Sequence, residues 1–574
     1  GAYQREKVEV TQRSISIEEI RRIPGTFGDP VRVVQSLPGA ARSPFGTGLL
    51  IIRGSNPQDS GVYVDGIRIP LIYHLGGFES VINPDLVAGV DYLPGGFGVQ
   101  YGRSTGGVVD VTTKEKFPER PHISWSTDIL DSGGTFTASL GKKKQHGIGV
   151  AARRSYIDAL LPLFTADTGF VAKPRWYDYQ AKYIYQGDAP IKFSALAFGF
   201  EDVLFASTPP GFSQGTDQDG QGDLGTRYST HRLLVNLEVP ITDSLHFRIT
   251  PSFGNDYGEF KLGNEWKASN SQWIAEVRAE LPWEPSEHFR LVPGVDFLGG
   301  WSDFEIILPF DPSSFASTDP LAEREPFSVA ETQPGWGPDA YLMAQIRPLK
   351  DPEALLISPG LRFNYINITG ELTQISFDPR LSFRWAMREQ TRLKGSVGLY
   401  SQPPQPFQAF RPDDKMVELK PEKALSGTIG FEQDFGQVIH ADVEFFYKWM
   451  YDLIVGNPNF QSLDTQFFVN SGIGRAYGME VMLRHDPVGP LFGWISYTLS
   501  RSERKDDPDD DRYYLFDYDQ THILSAVAGY KLPFDFEISA KAQYVTGNPT
   551  TTYGLGVYDV DLDTYNAFST SEYN

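Results

Sequence analysis

The sequence predicts a membrane all-β protein, a large antiparallel transmembrane β-barrel preceded by a small α+β unit. Three observations carry this expectation. No run approaches the roughly 18 apolar residues that a membrane helix needs; the densest, GLLII at 48–52, is far too short. From Phe117 onward apolar and polar residues alternate with a period of two. In the same region short and long connections also alternate.

The N-terminal part, 1–117, reads as the α+β unit. Val8 to Thr11 is strand-like, and SIEEIRR (16–22) predicts a short helix capped by Ser16, with Glu19 at the capping-box position. Pro24-Gly25 stops it. A second short helix is expected over Pro30 to Leu37, ended by Pro38-Gly39. Strands are expected at Leu49 to Arg53, and at Val62 to Val64 joined through Asp65-Gly66 to Ile67 to Ile69 as a hairpin.

The segment YLPGGFGVQYGRSTGGVVDVTTK (92–114) raises the question of a phosphate cradle. Such loops open a helix whose N-terminus meets the anion. Here the glycines lead into Val108, Val109, Val111 and Thr112, which are strand formers, and neither phosphate motif has its spacing. The expected role is architectural. Gly95, Gly96 and Gly98 turn the backbone where side chains would clash, Gly106 and Gly107 open the closing strand, and the first spanning strand follows soon after Lys114.

Residues 118–574 keep one texture. Phe534, Phe536, Ile538, Ala540, Ala542 and Tyr544 alternate with Asp535, Glu537, Ser539, Lys541 and Gln543. A period of two puts one set on each face of a sheet, and the charged face must meet water or polar protein. Short turns such as VPITDS (239–244), REQT (388–391) and DFGQ (434–437) alternate with long polar segments such as 204–226, 309–334 and 402–422. A membrane barrel has this asymmetry because its two rims face different compartments. Aromatic blocks near strand ends, among them Trp176-Tyr177-Asp178-Tyr179 and Phe445-Phe446-Tyr447 with Trp449, are expected to form a girdle. About nineteen strands can be traced. Because single-chain bacterial barrels have even strand numbers, this odd count ending in an external loop leads us to expect about three further C-terminal strands, lost by truncation or supplied by another segment.

Bulk properties narrow the function. The net charge of −22 argues against general nucleic-acid binding, which needs Lys and Arg at phosphates. With no cysteine there is no disulfide and no thiolate metal site.

Ile51-Ile52-Arg53-Gly54, Val62-Tyr63-Val64-Asp65-Gly66, Val90-Asp91-Tyr92-Leu93, Tyr101-Gly102-Arg103 and Gly106-Gly107-Val108-Val109-Asp110-Val111-Thr112-Thr113-Lys114 occur in the order found in one family. Together they resemble the plug domain of the TonB-dependent outer-membrane receptors. In the barrel, Leu419-Lys420-Pro421-Glu422-Lys423, Asn470 with Gly478-Met479-Glu480, and Asp519-Gln520-Thr521-His522 resemble landmarks of the same family. The family usually has Arg-Gly-Pro where this chain has Pro94-Gly95-Gly96.

The resemblance implies a plug inside the lumen of a barrel of 22 strands, in the outer membrane of a Gram-negative bacterium, among lipid and lipopolysaccharide. It also implies import of a scarce substrate such as a ferric siderophore or cobalamin, energised by the inner-membrane TonB–ExbB–ExbD complex. No covalent chemistry, cofactor or nucleic-acid partner is implied. Glu6, Lys7, Val8, Glu9, Val10 and Thr11 resemble the Ton box that TonB grips, or else form the plug's first strand. A receptor-like barrel for protein or peptide export or surface interaction is the alternative, and a soluble all-β carbohydrate enzyme is disfavoured by the loop alternation.

Among individual residues, Arg53 and Arg103 are expected to anchor the plug on lumen carboxylates such as Glu276, Glu444 or Glu480. His74 either contacts a ligand or is a packed histidine. Asp217, Asp219 and Asp223, with Gln221 around Gly220, offer hard oxygens at alternate positions; the glycine misses the EF-hand place, which favours a solvated acidic loop over a metal site. The run KDDPDDD (505–511) reads as a solvated loop face.

Overall fold

A computed structural model of the chain describes residues 10–26, 28–42, 49–165, 171–187, 190–207, 223–263, 266–308, 327–368, 372–405, 408, 419–458, 466–550, 553–559 and 564–569. The N-terminal unit contains the strands β1 (Arg13–Ser16), β2 (Ala40–Ala41), β3 (Ile51–Ile52), β4 (Gly61–Val64), β5 (Ile67–Arg68), β6 (Val87–Leu93) and β7 (Val108–Thr113). Five of them form one sheet in the order β1-β6-β7-β4-β5, while β2 pairs with β3. Only β4 and β7 run parallel within that sheet; the hairpin β4–β5 turns through Asp65 and Gly66, both at positive φ (48° and 86°).

The capping box forms around the helix α1 (Ile17–Ile20): Ser16 Oγ accepts from the Glu19 backbone, and Glu19 Oε2 accepts from the Ser16 backbone at 3.1 Å. The strand expected at Val8 to Thr11 lies later, at Arg13–Ser16, where Ile15 opposes Val90 and is buried in the core. Val8 falls outside the described residues, and Val10 and Thr11 form a turn. The second expected helix is a 3₁₀ stretch, Arg32–Ser36. The strand expected over Leu49 to Arg53 shortens to Ile51–Ile52 because Arg53 turns to φ 49°.

After β7 the chain leaves the small sheet and enters a single large one. Among the described residues its strand order is closed, returning from Glu537–Val545 to His122–Thr127 and Asp131–Leu140 without the about three further C-terminal strands expected from the odd count, while Tyr553–Asp559 pairs with Thr564–Ser569 in a separate hairpin. Among the described residues this sheet has 21 strands, of which Trp283–Ser286 and Tyr514–Leu515 are short side ladders; nineteen remain. Every neighbouring pair in chain order is antiparallel, so the first and the nineteenth strand point the same way.

The strand Leu372–Arg388 shows how the sequence pattern is used. Gln374, Ser376, Asp378, Arg380 and Ser382 are buried, while Ile375, Phe377 and Leu381 are exposed. A soluble core would reverse this. The polar face points into a lumen filled with protein and the apolar face points outward, the pattern of a membrane barrel. The plug core runs into the wall: Val64, Tyr92 and Val109 share one buried cluster with Phe198, Phe200, Trp494 and Val527 of the barrel. Phe445, Tyr447 and Trp449 face outward, as a girdle requires, but neither Phe446, turned inward onto Arg53, nor Trp176 does. Trp176 is fully buried in the lumen, stacked on Phe78 and on His74.

Candidate functional site

One wall grips the plug through charge. Arg53 projects between β3 and the turn at Gly54, and its Nε donates to Glu480 Oε1 at 2.7 Å. Its Nη2 reaches Glu444 and also Glu480 Oε2 at 3.2 Å, while the guanidinium lies 4.5 Å from the Phe446 ring centre. Arg13 of β1 donates to Glu480 Oε2 at 2.9 Å, and Lys394 stands 3.3 Å from Glu444. Burial alone would lower the Arg53 and Arg13 pKa values, but Glu480 and Glu444 outweigh it and raise both above their ordinary value. The same wall adds further hydrogen bonds: Thr498 Oγ1 accepts from Gly39, Ser502 Oγ donates to the Gly54 carbonyl at 2.7 Å, and Lys448 donates to Ser55 Oγ at 2.6 Å.

The glycine-rich turn is held by three arginines on other strands. Arg380 Nη1 donates to the carbonyls of Phe97, Gly98 and Tyr101 at 3.3, 2.6 and 2.7 Å, with its guanidinium 5.0 and 4.3 Å from the Phe97 and Tyr400 rings. Arg362 donates to the Val99 carbonyl at 3.2 Å and Arg278 to the Gln100 carbonyl at 2.8 Å. This reverses a phosphate cradle, since carbonyl oxygens meet cations where a cradle offers N–H groups to an anion. Gly96 has φ 61°, and a Cβ there would run into Ser396 of the wall; one at Gly95 would lie 2.7 Å from Arg53 Nη1. Gly106 donates its N–H to the Asp59 carbonyl, and the Gly107 carbonyl accepts from Gly61, joining β7 to β4.

Arg103, at φ 57°, pairs with Asp339 at 3.0 Å. Of the three carboxylates expected to meet the plug arginines, Glu444 and Glu480 both lie on Arg53, whereas Glu276 lines a cavity and Asp339 takes the place beside Arg103. Asp65 accepts from the Thr113 backbone at 2.8 Å and lies 3.4 Å from Lys182.

His74 is fully buried between plug and wall. Its Nδ1 lies 2.5 Å from Asp202 and its Nε2 3.1 Å from Asp178. Two nitrogens facing two carboxylates suit the doubly protonated ring. Burial opposes that charge, but the hydrogen bonds and charges of Asp178 and Asp202 raise the pKa above its ordinary value. Asp178 also accepts from Arg153 at 2.8 Å, and the Leu75 N–H, from a residue at φ 47°, donates to Asp202 at 2.6 Å. These contacts describe a packed histidine that seats the plug.

Above the plug lies a cavity of about 680 Å³, lined by β5 and its flanking loops together with Arg232, Gln272, Arg278 and Arg362 of the wall. It mixes apolar surface from Ile69, Pro70 and Leu71 with charge from Arg68, Arg103 and Asp256. Of the Ton-box-like segment, Glu6, Lys7, Val8 and Glu9 lie outside the described residues, while Val10 is buried and the Thr11 hydroxyl donates to the Gly95 carbonyl. Asp217 and Asp219 also lie outside them; Asp223 opens the strand Asp223–Thr242 opposite Ser207. Among the described residues no group of three or more acidic or histidine side chains is placed to hold a metal.

The barrel arginines 278, 362 and 380 were not singled out from sequence. Their one advance signal is that they occupy the lumen phase of their strands, a position shared with many ordinary polar residues.

Comparison with known proteins matches residues 4–109 to the TonB-dependent receptor plug domain and 98–573 to the TonB dependent receptor-like β-barrel. No curated protein sequence matches the chain. Similar solved structures include the siderophore receptor PiuA from Acinetobacter baumannii, at 13% identity and TM-score 0.69, covering 98% of this chain and 89% of that one. The FrpB iron transporter from Neisseria meningitidis is 14% identical with TM-score 0.71, covering 97% and 90%. The ferric citrate transporter FecA in its unliganded form is 17% identical with TM-score 0.67, covering 93% and 84%. At these identities the likeness is one of fold.

Proposed function

The chain belongs to the TonB-dependent receptor family, and on that premise we propose that it imports a scarce solute across the outer membrane of a Gram-negative bacterium. The solute class is a ferric siderophore, cobalamin or a compound of similar size, and the energy comes from the inner-membrane TonB complex. The carrying observation is the outer cavity of about 680 Å³ above a plug that fills the lumen. A space of this size suits a compact ligand of several hundred daltons, which favours a ferric chelate over the larger cobalamin. Its apolar and charged lining suits a solute with both characters, such as a metal chelate in an organic shell. The solved relatives include a siderophore receptor and a ferric citrate transporter, which supports iron chelates as the first class to test.

Binding alone would leave the solute above a closed plug, so transport requires work on the plug itself. The test is uptake of radiolabelled ferric chelates and cobalamin by cells whose own receptors have been deleted. Uptake should appear with the full chain and vanish when residues 1–12 are removed or the proton gradient is collapsed. Uptake that survives both treatments would sink the proposal.

A further inference from the structure

Two cavities flank the plug along one sector of the wall. The inner one, about 530 Å³, is lined by Asp65, Asp110 and Thr113 of the plug and by Asn236, Arg248 and Arg290 of the barrel. Asn236 and Arg248 lie near the short turn at 243–244, while Arg232 and Asp256 of the outer cavity lie towards the other rim. The linings share two residues, Gly66 and Arg278. The septum between them is therefore the Asp65–Gly66 tip and the Gln100–Arg103 segment, with Arg278 against both. Arg278 donates to the Gln100 carbonyl at 2.8 Å, and a Cβ on Gly66 would lie 3.6 Å from its Nη1. Asp296 tethers the same guanidinium at 2.8 and 3.2 Å.

The opposite sector differs. There Arg13, Arg53, Glu444, Glu480 and Ser502 join plug to wall through short polar contacts. Rooted there, and seated on Asp178 and Asp202 through His74, the plug is hollow on both faces of the Arg278 sector.

We infer that the transported solute passes along the hollow sector, between the strands Asp223–Thr242 and Phe327–Ile346, and that Arg278 is the latch closing this route. The inference rests on the import reading for its solute, but the latch is a property of the closed protein. Arg278 fastens the Gln100 carbonyl to the wall and stands beside Gly66, where Tyr63 and Arg68 already join the β4–β5 hairpin to the carbonyls of Gly102 and Arg103 at 3.2 and 2.9 Å. Displacing the Gln100–Arg103 segment would merge the two cavities, while the anchor on the far wall keeps the rest of the plug in place.

The test uses the full chain in phosphatidylethanolamine–phosphatidylglycerol vesicles, with raffinose permeation followed by vesicle swelling. Wild-type vesicles should be as tight as protein-free ones, and Arg278→Ala should raise permeation at least tenfold. Arg278→Met, which keeps the bulk and removes the donors, serves as the second variant if Arg278→Ala fails to show heat-modifiable, folded mobility. Tight vesicles from a folded variant overturn the latch. Glu480→Gln weakens the opposite anchor, and permeation through it equal to or greater than through Arg278→Ala overturns the sector. No substrate or energy source is present, so a tight variant leaves import intact, and a leaky one upholds the latch even if no solute is ever found.

Discussion

Arg13 and Glu480, separated by 467 positions in the chain, meet at 2.9 Å inside the barrel. The contact places a cation from the plug's first strand on the carboxylate that also holds Arg53. Removing Glu480 would leave two buried guanidinium groups with Glu444 as their main counter-charge. We expect Glu480→Ala to destabilise the seated plug by about 3–5 kcal/mol, the usual cost of breaking a buried pair. Arg13→Ala leaves Arg53 in place and should cost about 1–3 kcal/mol. Urea-dependent protease cutting of the plug within the intact barrel measures both, and equal losses would contradict this division of labour.

The histidine seat gives a pH dependence with a definite sign. The folded-state pKa of His74 is raised, so its contribution is fully present below the unfolded value of about 6.5 and fades as pH rises through the folded value. Protection of the 74–80 backbone from hydrogen exchange, corrected for intrinsic rate, should therefore fall on the alkaline side. His74→Gln should flatten that dependence. A slope unchanged in the variant would assign the effect to other groups.

At Gly96 the backbone and the wall make separate demands. Alanine there meets φ 61° and the Ser396 side chain together. We expect Gly96→Ala to cost on the order of 1–3 kcal/mol in plug stability. Pairing it with Ser396→Gly should recover the part due to contact and leave the part due to backbone strain. Full recovery in thermal unfolding would show that the left-handed conformation costs little here.

The junction of the sheet should be its softest place. His122–Thr127 is six residues long, Ile123 and Trp125 are each 75% exposed, and the strand beside it points the same way. Backbone amides of His122–Thr127 and Glu537–Val545 should exchange before those of Ile439–Gly456, whose ladders are long on both sides. Uniform exchange around the barrel would refute this.

The sequence showed some of this arrangement and hid the rest for physical reasons. Period-two alternation exposes strands because each strand reports its two faces locally, and the Ser16–Glu19 cap is visible because it spans four residues. Arg53 stands out through its motif, and two of the three carboxylates expected for the plug arginines Arg53 and Arg103 are its partners. The Arg380 and Arg362 clasps join residues more than 260 positions apart, and no local pattern marks which lumen arginine meets which carbonyl. Long separations in the chain likewise hid Asp339 as the partner of Arg103, and His74 as a seat between Asp178 and Asp202, 104 and 128 positions away. An aromatic at a strand end looks alike on either face, which hid Trp176 and Phe446 as lumen residues.

The edge position of β1 has a mechanical meaning. β1 lies at one margin of the plug sheet and bears the Arg13 contact to the clamped wall, while the Asp65–Gly66 tip lies at the other margin. A load entering through the residues before Arg13 is therefore eccentric, and an eccentric load produces torque as well as tension. With Arg53 as fulcrum, the sheet is a lever whose far arm ends at the septum. On this geometry a modest rotation would open the inferred route without drawing the plug out of the barrel.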